Sequence, residues 1–317
     1  PMRLIRRPRQ GSDPLPDGCV ATIGTFDGVH LGHQRIFERV LDEAGARKLP
    51  ALVFSFEPTP AEFFNRGSPP ARLTRFREKF AVFRELGLDC LYCPPFDARM
   101  EAQEPDEFIA GHLLSVLRVQ HLVVGDDFRF ARQRRGGYDD LVAAGKQHGF
   151  GVERFDSVTV EGQRVSSTAI REALQAGDLA LASRLLGRPY RMTGRVVGGQ
   201  QLGARLGFPT ANVRLNRRSS PLSGIFAVRV QGLPEGALGG VASLGVRPTV
   251  QGDGEPLLEV HIFDFDRQIY GDYIRVDFIA KLRDEERFPD LESLTEQMHR
   301  DALRAREELR RAAWQDD

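Results

Sequence analysis

Cysteine is scarce in this chain of 317 residues: Cys19, Cys90 and Cys93 are the only three. So small and odd a number excludes a disulfide framework and fits a reducing cytoplasm. Cys90-Leu91-Tyr92-Cys93 is a lone C-x-x-C. Without a second pair or a histidine cluster it reads as two thiols on a strand, not as zinc or redox chemistry. An excess of one charge is missing as well, since Lys+Arg and Asp+Glu both number 44. No global field then points to nucleic acid or to an anionic membrane. The basic runs at residues 3–9 and at Arg132-Gln133-Arg134-Arg135 read as solvated surface. No apolar run is long enough to span a bilayer, and no signal-peptide pattern is visible. Tryptophan occurs once, at Trp314, and nothing in the sequence explains it.

What is present is a soluble globular composition, 41% hydrophobic and 28% charged. The length makes two domains the default expectation. The first half is organised around Gly24-Thr25-Phe26-Asp27-Gly28-Val29-His30-Leu31-Gly32-His33. Before it, Cys19-Val20-Ala21-Thr22-Ile23 reads as a short buried strand. After it, Ile36, Phe37, Val40 and Leu41 fall at helical spacing. The stretch is therefore a glycine-rich turn from strand to helix, where free N–H groups and the positive end of the helix dipole can hold phosphate. A tight turn with two solvated histidines is the plainer alternative. The full pattern G-x-F-D-G-x-H-x-G-H is more specific than that, and it resembles the H-x-G-H signature of adenylyl- and cytidylyltransferases.

Further compact apolar runs occur at residues 52–56, 90–93 and 121–125, with helical spacing at 75–86 and 105–117. Strands alternating with helices predict a parallel, doubly wound sheet whose ligands bind beyond the C-terminal strand ends. Asp126, Asp127 and Arg129 follow the last of those strands and could bind a ribose or simply satisfy their own turn. Val165-Ser166-Ser167-Thr168-Ala169-Ile170-Arg171 resembles the second nucleotidyltransferase signature. Its hydroxyls could cap the following helix, and Arg171 with the helix N–H groups could hold triphosphate.

Helix-ending Gly187-Arg188-Pro189 sets the expected domain boundary, giving 1–186 and 187–317. Beyond it come short β-like runs with glycine turns, which predict a small antiparallel barrel, and an amphipathic C-terminal stretch at 291–309. In that stretch Leu294, Met298, Leu303 and Leu309 are expected to cover the barrel, and Arg304, Arg306, Arg310 and Arg311 to form a wet face. The glycine loop Gly198-Gly199-Gln200-Gln201-Leu202-Gly203 lacks the ending of a P-loop. It gains weight from Gly207-Phe208-Pro209-Thr210-Ala211-Asn212, where Thr210 and Asn212 offer two hard oxygens on one face of an extended segment, suited to Mg²⁺ and phosphate. Those two residues could equally stitch a turn after Pro209. Glu259 lies between apolar neighbours, as a cross-strand partner for an arginine or as a base facing a cavity.

Taken together, these motifs resemble the bifunctional bacterial riboflavin kinase/FAD synthetase family over nearly the whole chain. The resemblance runs through residues 24–33, Phe56-Glu57-Pro58, Arg72-Leu73-Thr74, 125–130 and 166–171. In the second half it runs through 206–212, Gly224-Ile225-Phe226-Ala227, 245–249, 258–261, Tyr270-Gly271 and 281–285. It implies a Rossmann-like nucleotidyltransferase domain (1–186) followed by a six-stranded antiparallel barrel with a C-terminal helix (187–317). It implies phosphorylation of riboflavin by ATP to FMN, then adenylylation of FMN to FAD with release of pyrophosphate.

Carried over by motif, the adenylyltransferase would bind ATP through Gly24, Phe26, Asp27, His30, His33, Asp126, Ser166, Ser167, Thr168 and Arg171, with His30 and His33 catalytic. The kinase would use Gly199, Gly203, Gly207, Pro209, Thr210, Asn212 and Arg283, with Glu259 as base and Thr210 and Asn212 holding Mg²⁺. Thr59, Ala131, Gly198 and Ser243 depart from the common pattern. The partners implied are ATP, riboflavin and FMN, with no nucleic acid and no membrane, in the cytoplasm; no residue pattern decides whether a homo-oligomer forms. A single-activity adenylyltransferase would leave Thr210, Asn212 and Glu259 without a task. A nucleic-acid binder using Arg132–Arg135 is disfavoured by zero net charge, and a tRNA ligase would want a K-M-S-K-S-like loop, which is missing.

Overall fold

A computed structural model describes residues 2–7, 13–199, 203, 206–246 and 254–313. Trp314 and Arg247-Pro248-Thr249, singled out in the sequence, lie outside the described residues, as do Gln200-Gln201-Leu202 of the glycine loop. The chain forms two compact units, Pro1–Pro70 with Phe76–Val165, and Ala71–Arg75 with Ser166–Asp317.

In the first unit the elements run β1 (Arg3–Ile5), β2 (Cys19–Ile23), α1 (Leu31–Arg47), β3 (Ala51–Phe54), α2 (Pro60–Phe64), α3 (Phe76–Glu85) and β4 (Cys90–Tyr92). They continue as α4 (Ala98–Glu101), α5 (Pro105–Phe108), β5 (Val119–Gly125), α6 (Tyr138–His148), β6 (Gly151–Phe155) and the small pair β7 (Thr159–Val160) and β8 (Gln163–Arg164). The six main strands form one parallel sheet in the order β1-β4-β3-β2-β5-β6. Strand alternation sends Val20, Val53, Leu91 and Val123 to one side, under Phe37 and Val40 of α1 and Phe83 of α3. Ala21, Leu52, Phe54 and Leu122 go to the other, against Phe108, Leu113 and Leu141. Burial on both faces explains why these strands read as unbroken apolar runs.

The expected strands and first helices are present, within a residue or two at their ends. The short strands β1 and β6 carry too little apolar signal to be read in the sequence. The segment expected as one helix over 105–117 is α5 followed by a π-helix at Ile109–Val116, where the Leu117 N–H reaches back five residues to the His112 carbonyl (3.0 Å). The His112 ring lies in the core against Phe54 and Phe108. The Tyr92 hydroxyl meets its Nδ1 at 2.9 Å and its Nε2 meets Gln103 Oε1 at 3.1 Å. Those two partners suit a neutral imidazole, one nitrogen accepting and the other donating. Cys19, Cys90 and Cys93 are buried and form no disulfide, Cys19 on β2, Cys90 on β4 and Cys93 just past its end.

The second unit has α7 (Ser167–Gln175) and α8 (Leu179–Leu186), then β9 (Tyr190–Val197), β10 (Ala211–Arg214), β11 (Gly224–Leu233), β12 (Gly236–Val246), β13 (Pro256–Ile262), β14 (Tyr273–Arg283) and α9 (Leu291–Ala313). The six strands close into an antiparallel barrel, β10-β13-β12-β11-β14-β9. Phe226, Val228 and Val230 alternate inward and Phe278 meets Phe226 edge-on, while Ala227 packs outward with Leu282 and Ala305 of α9. Gly187 ends α8 with φ of 72°, the left-handed turn a glycine takes readily. The compact units nonetheless divide between Val165 and Ser166, because α8 packs on β9 and β14.

The barrel unit also holds the segment Ala71–Arg75. The buried Leu73 carbonyl accepts from Tyr190 Oη (2.9 Å) and Arg217 Nη2 (3.2 Å), and the Arg72 carbonyl from Arg217 Nη1 (2.6 Å). On α9, Leu303 is 66% exposed and does not cover the barrel; Ala302, Ala305 and Leu309 do. Arg304 is exposed, as expected of the wet face, and Arg306 is partly so, yet both find partners. Arg304 donates to the Leu282 carbonyl, and Arg306 pairs with Asp264 over the Phe263 ring. Small alanines let the helix approach closely, a signal that hydrophobic spacing alone does not carry. Among the described residues no helix is long and apolar enough to cross a membrane.

Burial pushes the His112 pKa down to about 4, against about 6.5 in the unfolded chain. The unfolded state then takes up the proton first. This residue's contribution to stability is full above pH 6.5, falls as pH drops to about 4, and amounts to no more than about 3 kcal/mol. Denaturant unfolding of the first unit followed from pH 7 to pH 4 should show a shallower decline in His112→Gln than in the parent chain.

Candidate active sites

In the first unit β2 delivers the chain into the turn at residues 24–33, at the C-terminal end of a central strand. The Gly24 N–H donates to the Phe54 carbonyl (3.0 Å), holding the turn to the end of β3. A Cβ on Gly24 would come within 2.9 Å of the Phe26 ring, so any other residue there would displace that ring. Phe26 and Val29 have left-handed φ angles of 52° and 46°, uncommon for bulky residues. Such strain collects at functional turns, where the surroundings hold it in place.

His30 is the N-cap of α1, its Nδ1 accepting from the His33 N–H (3.4 Å), which leaves Nε2 as the protonated nitrogen of the neutral ring. The His30 and His33 rings stack with centroids 3.5 Å apart, and the Phe26 ring meets His33 edge-on at 5.1 Å. Gly32 lies against the His30 ring, where a Cβ would sit 3.2 Å from it. The H-x-G-H spacing thus brings two imidazoles to the N-terminus of a 17-residue helix with no acidic residue in its first turn. Asp27 is buried in the same turn.

Asp126 follows β5. Its carboxylate accepts from the Ser157 hydroxyl (2.7 Å) and N–H (3.2 Å), with Arg164 nearby, and the Ser157 hydroxyl foremost holds its pKa below the usual range. An aromatic shelf missed in the sequence lies after β3. Phe63, Phe64 and Phe96 meet edge to face, and Phe64 is 64% exposed. Thr59, one of the departures, N-caps α2 in a reciprocal box with Glu62.

Ser166, Ser167, Thr168 and Arg171 belong to the other compact unit. Ser166 caps α7, its Oγ accepting from the Ala169 N–H (3.1 Å), so the capping alternative is realised at that hydroxyl. Ser167 and Thr168 stand in the first turn, Thr168 exposed, and Arg171 Nε donates to the Ala71 carbonyl (2.7 Å).

On the barrel, residues from five adjacent strands line up in register: Asn212 opposite Glu259, Glu259 opposite Ser243, Ser243 opposite Ile225, and Ile225 opposite Arg283. Their sequence neighbours Val213, Leu258, Val260, Ala242, Leu244 and Phe226 are buried in the barrel core. Period-two alternation therefore turns Asn212, Glu259, Ser243 and Ile225 to the outer surface, and a register shift in β14 sets Arg283 beside them. A cavity of about 670 Å³ lies on it, lined by Glu259, Ser243 and Arg283 with apolar Leu206, Phe208, Phe288 and Met298.

A second cavity of about 320 Å³ is lined by Gly199, Pro209, Asn212 and the loop at residues 265–270. Thr210 lines both cavities. Gly199 has no room for a Cβ, which would fall 1.9 Å from Asn212 Nδ2, and a Cβ on Gly203 would meet the Phe208 carbonyl at 2.4 Å. Gly207 takes a φ of 83°. The Pro209 carbonyl accepts from His261 Nδ1 (2.9 Å), fixing the approach to Thr210.

Arg283 lines the larger cavity, but its guanidinium is engaged by Asp301 of α9 in a fork of 3.0, 3.1 and 2.8 Å. That geometry makes it a clamp between β14 and the C-terminal helix. Of the loops at 264–272 and 284–290 that complete the cavities, the sequence marks only Tyr270-Gly271 and residues 284–285, since nothing local signals that tertiary structure folds the rest over a site. One other group sits at metal-ligand spacing, Glu43, His121 and Glu153. Arg39 pairs with both glutamates and Arg47 with Glu43, which makes it an ion network.

Comparison with known proteins finds two family models along the chain. The family model described as FAD synthetase matches residues 12–169, and that described as riboflavin kinase matches residues 186–309. A bifunctional riboflavin kinase/FMN adenylyltransferase of Escherichia coli K12 is 46% identical over 96% of this chain and 97% of its own. One of Pseudomonas fluorescens is 47% identical over 92% and 94%. A solved chain from Streptococcus pneumoniae, named as a macrolide-efflux protein, is 29% identical with a TM-score of 0.81, covering 95% of this chain and 97% of its own.

The Arg283–Asp301 pair is nearly buried, with side chains 16% and 7% exposed. Removing one partner leaves the other's charge stranded, which costs about 3 kcal/mol. Thermal unfolding of Arg283→Met should show that loss, and Arg283→Met with Asp301→Leu should recover most of it.

Proposed function

The chain belongs to the bifunctional riboflavin kinase/FMN adenylyltransferase family, and on that premise we propose how its two sites divide the synthesis of FMN and FAD. The functional division is placed at Gly187, giving an adenylyltransferase of residues 1–186 and a kinase of 187–317.

The observation that carries the kinase assignment is Thr210, which stands on the wall shared by the two barrel cavities. The larger, mostly apolar cavity suits the flavin ring system, and the smaller one ATP. Glu259, in the flavin cavity, orients the ribityl 5′-hydroxyl and accepts its proton as the oxygen attacks the γ-phosphate. Thr210 and Asn212 fit a divalent cation by chemistry: two hard oxygens beside a glycine loop in which Gly199 leaves space for the Asn212 amide. Bound there, Mg²⁺ would neutralise phosphate charge. Arg283 supports this site through its clamp on α9.

In the adenylyltransferase the N-terminus of α1 and the turn at Gly24, Phe26 and Asp27 receive the ATP phosphates. The FMN phosphate attacks the α-phosphorus and pyrophosphate leaves. His30 and His33 donate hydrogen bonds to the charge that develops, with no covalent intermediate required. The helix N-terminus at Ser166, Ser167 and Thr168 and the guanidinium of Arg171 contribute to holding triphosphate, and Asp126 orders the loop beside the nucleoside. The shelf of Phe63, Phe64 and Phe96 offers the flavin a stacking surface. Three buried cysteines that form no disulfide and the biosynthetic task support a cytoplasmic location.

The assignment predicts separability. His30→Ala with His33→Ala should lower FMN adenylylation by about 100-fold or more with riboflavin phosphorylation intact, and Glu259→Gln should do the reverse. Loss of both activities in either folded variant would reject the two-site scheme. Incubation of the parent chain with riboflavin, ATP and Mg²⁺ should give FMN and then FAD by chromatography; FMN that accumulates without FAD would reject the first site.

A further inference from the structure

We propose that Lys79 is a positioning residue for adenylyl transfer, acting through the backbone of the turn that carries His33; this rests on the assignment of that turn to adenylyl transfer. Lys79 sits on α3 and is 2% exposed. Its ammonium donates to the Thr25 carbonyl (2.9 Å) and to Ser55 Oγ (3.1 Å), and Ser55 Oγ in turn donates to the Thr25 carbonyl (3.3 Å). Thr25 lies just past the end of β2 and Ser55 just past the end of β3, so one buried side chain ties together two adjacent strand ends.

The link continues to the imidazole. Thr25 precedes Phe26, whose left-handed backbone directs its ring onto the edge of His33 at 5.1 Å. One helical turn beyond Lys79, Phe83 meets Phe26 edge-on at 6.3 Å and Phe37 at 5.3 Å. Helix α3 therefore supports the turn twice on one face, through the Thr25 carbonyl and through the Phe26 ring. A buried lysine is a costly way to fill a core, because its charge must be desolvated and its side chain ordered. Methionine would pack the same space. A donor that fixes a strained turn accounts for lysine here. Loss of that anchor frees Thr25 to relax and lets Phe26 shift, and small displacements of a catalytic group cost rate rather than affinity.

The test uses the full chain, with Lys79→Met and Lys79→Arg assayed for both activities and for KM of ATP. In Lys79→Met, kcat for FMN adenylylation should fall about 10- to 100-fold while KM for ATP changes less than about threefold and riboflavin phosphorylation is unchanged. Arginine, which keeps a buried donor, should restore most of kcat. A Lys79→Met chain with the parent kcat, or with its loss wholly in KM, would overturn the proposal. If that variant does not fold in the first unit, judged by its melt, Lys79→Gln, whose shorter amide cannot serve both acceptors, is read by the same criteria. The double histidine variant is run alongside. If it keeps adenylylation, the site assignment itself fails; if it loses adenylylation while Lys79→Met keeps the parent kcat, only the role of Lys79 fails.

Discussion

The register of β10 against β13 is the constraint on which the barrel site depends. Val213, Leu258 and Val260 are committed to the core, so Asn212 and Glu259 must face outward and opposite each other. A slip of β13 by one residue would turn Glu259 into the core and Leu258 and Val260 out of it, which the barrel cannot accommodate. The same alternation adds Ser243 and Ile225 to the row, and a register shift in β14 adds Arg283. Core packing thereby aims these side chains, and the kinase chemistry needs little beyond that placement.

The first unit solves its problem differently. There the site is a turn, and a turn has no ladder to hold it. Two bulky residues lie in left-handed conformation, the leading histidine caps its own helix, and glycine gives close approach where the Phe26 and His30 rings meet the backbone. The parallel sheet, buried on both faces, supplies the rigid base, and strand-end contacts such as that from Gly24 to the Phe54 carbonyl fasten the turn to it. Rigidity is inherited from the sheet in one unit and from the barrel register in the other, and both sites need it because phosphoryl and adenylyl transfer work by positioning.

Much of the fold was legible in the sequence because both core patterns are local. Unbroken runs such as Leu52-Val53-Phe54 signal a strand covered on both faces, and alternation at Leu257-Leu258-Glu259-Val260 signals one covered on a single face. The short motifs were legible too, since His30, Gly32 and His33 stand within one helical turn, and Thr210 and Asn212 within one strand repeat. Misreadings fell where the deciding contact is distant. Leu303 has a hydrophobic side chain at a helical position, yet α9 presents its alanines to the barrel. Arg283 is a different case: it lines the larger cavity as expected, and only the fold shows that Asp301, on a separate helix, engages it.

The sequence by itself determined the two element patterns, the turn chemistry at residues 24–33 and the oxygen pair at Thr210 and Asn212, because each follows from residues within a few positions of one another. Tertiary structure alone decided that Asn212, Glu259, Ser243 and Arg283 share one row, that Thr210 stands between two cavities, and that Ser166 and Arg171 fold with the barrel unit. The reason is physical: strand order, register and the packing of α8 and α9 are set by burial summed over the whole chain. No local window contains that sum.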